Sequence, residues 1–215
     1  MPSGIKTGLE LRDVRIGLDG RELVAVDLVI EPGEIVTLMG PSGSGKSSLL
    51  GHICGTLPDQ FKVAGQVILD GQSLDGKAPQ DRHVGILFQD DLLFPHLSVG
   101  GNLAFALSTN VRGKANRRAR VEEALMSADL DGFADRDPAT LSGGQRARIA
   151  LMRVLLSEPC ALLLDEPFSK LDSDLRGQIR SFVFNLCRKN GLPTLMVTHD
   201  PEDGIAAGGR VINLA

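Results

Sequence analysis

Gly40-Pro41-Ser42-Gly43-Ser44-Gly45-Lys46-Ser47 lies between the apolar run Ile35-Val36-Thr37-Leu38-Met39 and Ser48-Leu49-Leu50. The order reads as a buried strand, a glycine-rich turn and the start of a helix. Glycines let successive backbone N–H groups curl around phosphate oxygens, and the positive end of the helix adds to the attraction. Lys46 can reach β- and γ-phosphates, Ser47 can offer its hydroxyl to Mg²⁺, and Ser48 opens the helix behind them. An ordinary flexible turn would leave the glycine spacing, Lys46 and Ser47 unexplained. The stretch is a P-loop, and an α/β fold is expected around it.

Upstream, Leu9-Glu10-Leu11-Arg12-Asp13-Val14 alternates apolar with polar, and Leu23 to Ile30 reads as a second strand after the Asp19-Gly20 turn. The pair predicts an antiparallel flank. Glu31-Pro32-Gly33 then breaks the chain, and Ile35 to Met39 fits a strand buried on both faces in a parallel sheet. A helix is predicted from Lys46 to about Cys54, ended by Gly55 and Pro58. Gly65 to Gly71 and Val84 to Phe88 read as further strands.

Past Gln89 the period becomes helical, with Leu103, Leu107, Val121, Leu125, Ala128, Ile149, Leu151, Leu155 and Leu156 in helical spacing. Residues 90–157 are expected to form an all-helical insertion in a core built from 1–89 and 158–215, the whole being one domain. Strands are predicted again at Ala161 to Leu164, Thr194 to Thr198 and Arg210 to Leu214. Between them a helix from about Asp172 to Lys189 carries Leu175, Ile179, Phe182, Val183 and Leu186 on one face.

The chain has 215 residues, 42% hydrophobic and 23% charged, which suits one compact domain with a sizeable insertion and excludes a disordered or collagen-like chain. A formal charge of −4 argues against nucleic acid as the main partner. The basic run Arg112, Lys114, Arg117, Arg118 and Arg120 reads as a solvated helix face rather than a site for anionic lipid or a partner. Cys54, Cys160 and Cys187 are far apart and form no metal-ligand pattern with the four histidines, which fits a reducing cytoplasm. Met1 to Asp13 lacks the basic and apolar segments of a secretory signal, and no segment approaches about 20 apolar residues. Work at a membrane would then require other chains as anchors.

Leu162-Leu163-Leu164-Asp165-Glu166 places two carboxylates at the C-terminal end of an apolar strand, where open α/β sheets present their ligands. Asp165 can hold Mg²⁺ directly or through water, and Glu166 can take a proton from, or orient, the water that attacks the γ-phosphorus. In Leu141-Ser142-Gly143-Gly144-Gln145, Ser142 can cap a helix running to Leu156, and Gly143 and Gly144 let backbone amides approach an anion. That segment is a second candidate phosphate-contacting helix start.

With these motifs in this order, the chain resembles the nucleotide-binding subunits of ABC transporters over nearly its whole length. The Leu141 to Gln145 signature is close to diagnostic of that family. By the same resemblance Gln89 is the Q-loop glutamine, Ser169-Lys170-Leu171-Asp172 the D-loop, and Thr198-His199-Asp200 carries the switch histidine. Phe88 to Val99 and Asp165-Glu166-Pro167-Phe168-Ser169 resemble bacterial importer subunits. Thr37 to Pro41, Gly85 to Gln89 and Asp137 to Ser142 are most similar to YnjD-type subunits.

The resemblance implies a P-loop ABC-type core with mostly parallel sheet and antiparallel flanking strands, binding ATP and Mg²⁺. It assigns catalysis to Glu166, His199, Lys46 and Gln89, the metal to Ser47, Gln89 and Asp165, and the nucleotide to Gly40 through Ser48, Ser142 through Gln145 and Asp172. Adenine usually stacks on an aromatic residue upstream of the P-loop, but here that place falls on Leu18, in a chain with neither Tyr nor Trp. An apolar contact and modest discrimination between ATP and GTP are expected. Two copies are expected to pair head to tail, each ATP lying between the P-loop of one and Ser142 to Gly144 of the other. The implied partners are integral membrane permease subunits and an extracytoplasmic solute-binding protein, with the chain peripheral on the inner face of the cell membrane. Leu92, Leu93, Phe94, Pro95 and Leu97 either line a groove for the permease or pack the helical insertion. The end at Ala215 implies no C-terminal regulatory domain of the maltose-type kind. Two other readings are a soluble ABC ATPase without a transport role and a catalytically silent module that dimerises on ATP.

Overall fold

The computed structural model describes residues 7–214; the first six residues, part of the segment read for a signal, and Ala215 lie outside it. Two sheets carry the chain. The first is antiparallel, in the order β2-β1-β4-β5, from β1 (Leu9–Leu18), β2 (Arg21–Ile30), β4 (Lys62–Leu69) and β5 (Gln72–Ser73). The second has the order β6-β7-β8-β3-β9, from β3 (Ile35–Met39), β6 (Val84–Leu87), β7 (Ala161–Asp165), β8 (Thr194–Val197) and β9 (Val211–Asn213), with parallel neighbours throughout. Four consecutive buried residues open β3, and four open β7, as a sheet covered on both faces requires.

β1 outruns its expected end because a register shift between Leu11 and Val14, with Asp13 at φ 46°, resets the alternation and lets pairing with β2 continue to Leu18. β4 likewise begins three residues earlier than its pattern suggests. Its first five residues are exposed and show no alternation, yet they pair with β1 as far as Gly17↔Lys62.

Helix α1 (Lys46–Cys54) follows β3 directly and ends on Gly55. Between β6 and β7 come α2 (Val99–Ala106), α3 (Lys114–Ser127) and α4 (Gly143–Leu156), while 90–98 form no helix. These helices share an apolar cluster that includes Val99, Leu103, Val121, Leu125, Ile149 and Met152. Helix α5 (Ser173–Lys189), capped by Asp172, presents Ile179 and Val183 to the parallel sheet. A short α6 (Pro201–Ala207), capped by Asp200, was not foreshadowed by periodicity. The basic run is largely a solvated face, with Arg118 and Arg120 paired to Glu122 and Glu123. Arg117 departs from it by reaching inward to the carbonyls of Ala104 and Val111.

Candidate functional site

The P-loop bridges the C-terminal end of β3 and the start of α1, beside the C-terminal end of β7. A cleft of about 490 Å³ opens there, lined by Ser42, Gly43, Gly45, Lys46, Ser47 and Ser48 on one wall and by Asp165 and Glu166 on another. Leu18, Leu23, Phe61 and Val197 supply its apolar lining. Gly45 has φ 80°, and a Cβ there would sit 3.1 Å from Leu23 and Val24, so the tight turn and the close approach both require glycine. No acidic residue lies in the first turn of α1 and no side chain caps it, so its amides and dipole face the cleft uncompensated.

Lys46 is almost wholly buried, and its Nζ donates to the carbonyls of Gly40 and Pro41, 2.7 Å each, and more weakly to Ser44 Oγ at 3.4 Å. The ammonium is thus held within the turn that would surround a phosphate chain. Burial and the adjacent Glu166 charge raise the Asp165 carboxyl above its ordinary range, against the pull of Lys46. Glu166 has a left-handed backbone, φ 49°, fixed by its N–H donating to the Val197 carbonyl at 2.9 Å. Its Oε2 lies 2.7 Å from His199 Nδ1. The contact is short but imperfectly aligned, and it becomes an ion pair when the imidazole is protonated. The carboxylate raises the imidazole pKa above the usual histidine value, as acceptor and as charge.

The other candidates lie elsewhere. Ser142, Gly143, Gly144 and Gln145 open α4, closed by a capping box in which Ser142 Oγ accepts from Gln145 N and Gln145 Oε1 accepts from Ser142 N. The box leaves the Gly143 and Gly144 amides without an acceptor inside the helix. A Cβ at Gly143 would have 3.9 Å of clearance, whereas one at Gly144 would meet Leu175 at 2.6 Å. Gly144 therefore packs tightly against the end of Leu175 on α5, and Gly143 is the open position.

Gln89 is exposed and lines a neighbouring groove of about 520 Å³ with Leu92, Leu93, Gly143, Arg146 and Lys170. None of Gln89, Ser142 to Gln145 or Asp172 is among the residues lining the P-loop cleft of the same chain. Asp172 accepts from Leu175 N at 2.9 Å as the cap of α5.

A profile described as ABC transporter matches residues 23–169. The chain belongs to the ABC transporter family. It is 48% identical over 197 residues to the uncharacterized ABC transporter ATP-binding protein YnjD of Escherichia coli, covering 92% of this chain and 90% of that protein. It is 44% identical to the sulfate/thiosulfate import ATP-binding protein CysA of Gloeobacter violaceus, over 90% of this chain but only 56% of the relative. Among solved structures, the dimeric structure of MJ0796, a bacterial ABC transporter cassette, superposes with a TM-score of 0.77 at 32% identity, covering 96% of this chain and 94% of that one. The chain is an ABC ATPase, and the two-sheet architecture is that of an ABC cassette.

Several residues that position these segments carry no signal in the sequence. Arg146 donates to Asp91 at 3.1 Å and to the Leu141 carbonyl, while Arg153 donates to the carbonyls of Leu92 and Asp91. Together they tie the signature helix to the loop after Gln89. Arg176 and Arg180 converge on Asp200, and Asp203 accepts from Arg180 and from Thr198 Oγ1. That network holds the segment bearing His199. An Arg in a helical run has no periodic signature of its own, so only the fold could pair these residues.

Proposed function

We propose that this chain is the ATP-hydrolysing subunit of a bacterial ABC transporter, and that two copies act head to tail to drive solute movement, in the import direction, through separate permease subunits. One observation carries the reading: the chain holds two phosphate-suited helix starts, and only that of α1 lines its own cleft. A second copy related by a twofold axis brings its α4 start to the first copy's ATP. Import follows the printed role of the CysA relative. Work on the inner face of the membrane follows from the permease. No helix among the described residues is long and apolar enough to cross a membrane.

In this reading the P-loop amides and Lys46 hold the β- and γ-phosphates, and Lys46 exchanges its carbonyl partners for phosphate oxygens. Ser47 and Asp165 supply hard oxygen donors in one cleft, a set that fits Mg²⁺ with the nucleotide completing the shell. The ion supplies neutralisation of charge on the phosphates. Gln89, exposed at the edge of the neighbouring groove, joins that set only if its loop moves toward the cleft. Glu166 takes the proton of the attacking water. His199 uses Nδ1 toward Glu166, leaving Nε2 for the γ-phosphate. Loss of the bridging phosphate lets the pair open.

Glu166→Gln should lower hydrolysis by at least about a hundredfold and trap an ATP-bound dimer, seen by light scattering with ATP and Mg²⁺. Unchanged hydrolysis, or a species that stays monomeric with ATP, contradicts the assignment.

The groove beside Gln89 is the proposed permease seat. Leu92, 56% exposed, lines it with Leu93 and Pro95, whereas Phe94 is outside its lining and packs edge to face on Phe105 with centroids 4.9 Å apart. Leu92→Glu should abolish co-purification with the permease while isolated ATPase activity survives; normal assembly rules out the groove as the seat.

A further inference from the structure

The P-loop cleft is lined by two chemically different groups. Amides, Lys46 and two carboxylates form one, and Leu18, Leu23, Phe61 and Val197 the other. A triphosphate seated on the amides leaves the nucleobase to the apolar group. Phe61 is the one aromatic residue lining the cleft. Its position follows from strand register. The last paired positions of β1 and β4 are Gly17↔Lys62, so the next step outward places Phe61 opposite Leu18. The turn that delivers it is closed by Phe61 N donating to the Pro58 carbonyl at 3.1 Å. The side chain is half-buried and packs on the main core cluster, which limits its movement while it borders the cleft.

We propose that Phe61 provides the aromatic surface for the nucleobase, from the strand across the ladder from Leu18. The inference rests on the reading of this cleft as the ATP site. A phenyl face stacks on any base and hydrogen-bonds none, so the contact adds affinity for nucleoside triphosphates without sorting ATP from GTP. Leu18, beside Phe61 on the same face, supplies an adjacent aliphatic contact.

The test compares ATP, GTP and inorganic tripolyphosphate, each with Mg²⁺, on the folded chain. Phe61→Leu should weaken ATP and GTP by about tenfold and leave tripolyphosphate unchanged, and Phe61→Tyr should restore both nucleotides. Because the chain contains no tryptophan, Phe61→Trp introduces a single reporter whose fluorescence should be quenched by ATP and GTP but not by tripolyphosphate. Equal ATP affinity in Phe61→Leu, or an indole insensitive to the base, overturns the proposal. So does a parallel loss of tripolyphosphate affinity, which would place Phe61 in support of the P-loop instead. Failure of the unsubstituted chain to bind both ATP and tripolyphosphate would remove the ATP-site reading, and this inference with it.

Discussion

Helices α1 and α4 both begin on glycine-rich turns, yet they begin in opposite states. The start of α1 has no side-chain cap and its one lysine is folded back on the turn, while that of α4 is closed by the Ser142 and Gln145 capping box. An uncapped start can surround an anion with several amides at once. A boxed start keeps its helix rigid and has only the first amides left to offer. The first suits a site that grips its ligand within one chain, and the second suits a preformed surface that completes a site on another copy.

The glycines sharpen the contrast. Gly45→Ala, at φ 80° and 3.1 Å from two side chains, should cost about 1–2 kcal/mol of stability and lower ATP affinity by more than tenfold. Gly144→Ala meets only the end of Leu175, so a loss of about 1 kcal/mol in chemical denaturation is expected, with ATP affinity of the monomer unchanged. If Gly144→Ala weakened ATP binding within one copy and left stability intact, the two helix starts would not differ as described.

A smaller effect concerns the γ-phosphate end. His199 faces the carboxylates of Glu166, Asp200 and Asp203, with Glu166 the main influence, and its folded pKa is raised. The charged pair therefore stabilises the folded chain below the ordinary histidine range and is lost as pH rises through the raised value. By NMR His199 should titrate above about 6.5, and in Glu166→Gln its pKa should fall toward that figure. The side chain is 70% exposed, so the accompanying stability change is small.

Much of this architecture was legible because its signals are periodic or stereochemically demanding. Ile35–Met39 and Ala161 to Leu164 read as buried strands from apolar runs, and Ser142 announced a capped helix running to Leu156, while the part of Gln145 in that cap was not read. Gly144 was legible as a glycine but not for its reason, since Leu175 lies 31 positions away in the chain. Phe61 was not legible at all. A lone aromatic residue in a turn has no period, and only the β1–β4 register brings it beside Leu18. Helix α6 is too short for a repeat, and its cap at Asp200 was masked by the histidine motif it adjoins.

The central claim is that each ATP site is shared by two copies, and mixing two inactive variants tests it directly. Lys46→Ala removes the phosphate-binding half, and Gly143→Arg blocks the half offered to the partner. Neither variant alone should hydrolyse ATP. Statistical mixing forms heterodimers with one intact shared site, and activity should return to about a quarter of the unsubstituted rate. A mixture as inactive as its components would contradict the shared site and return both halves to a single chain.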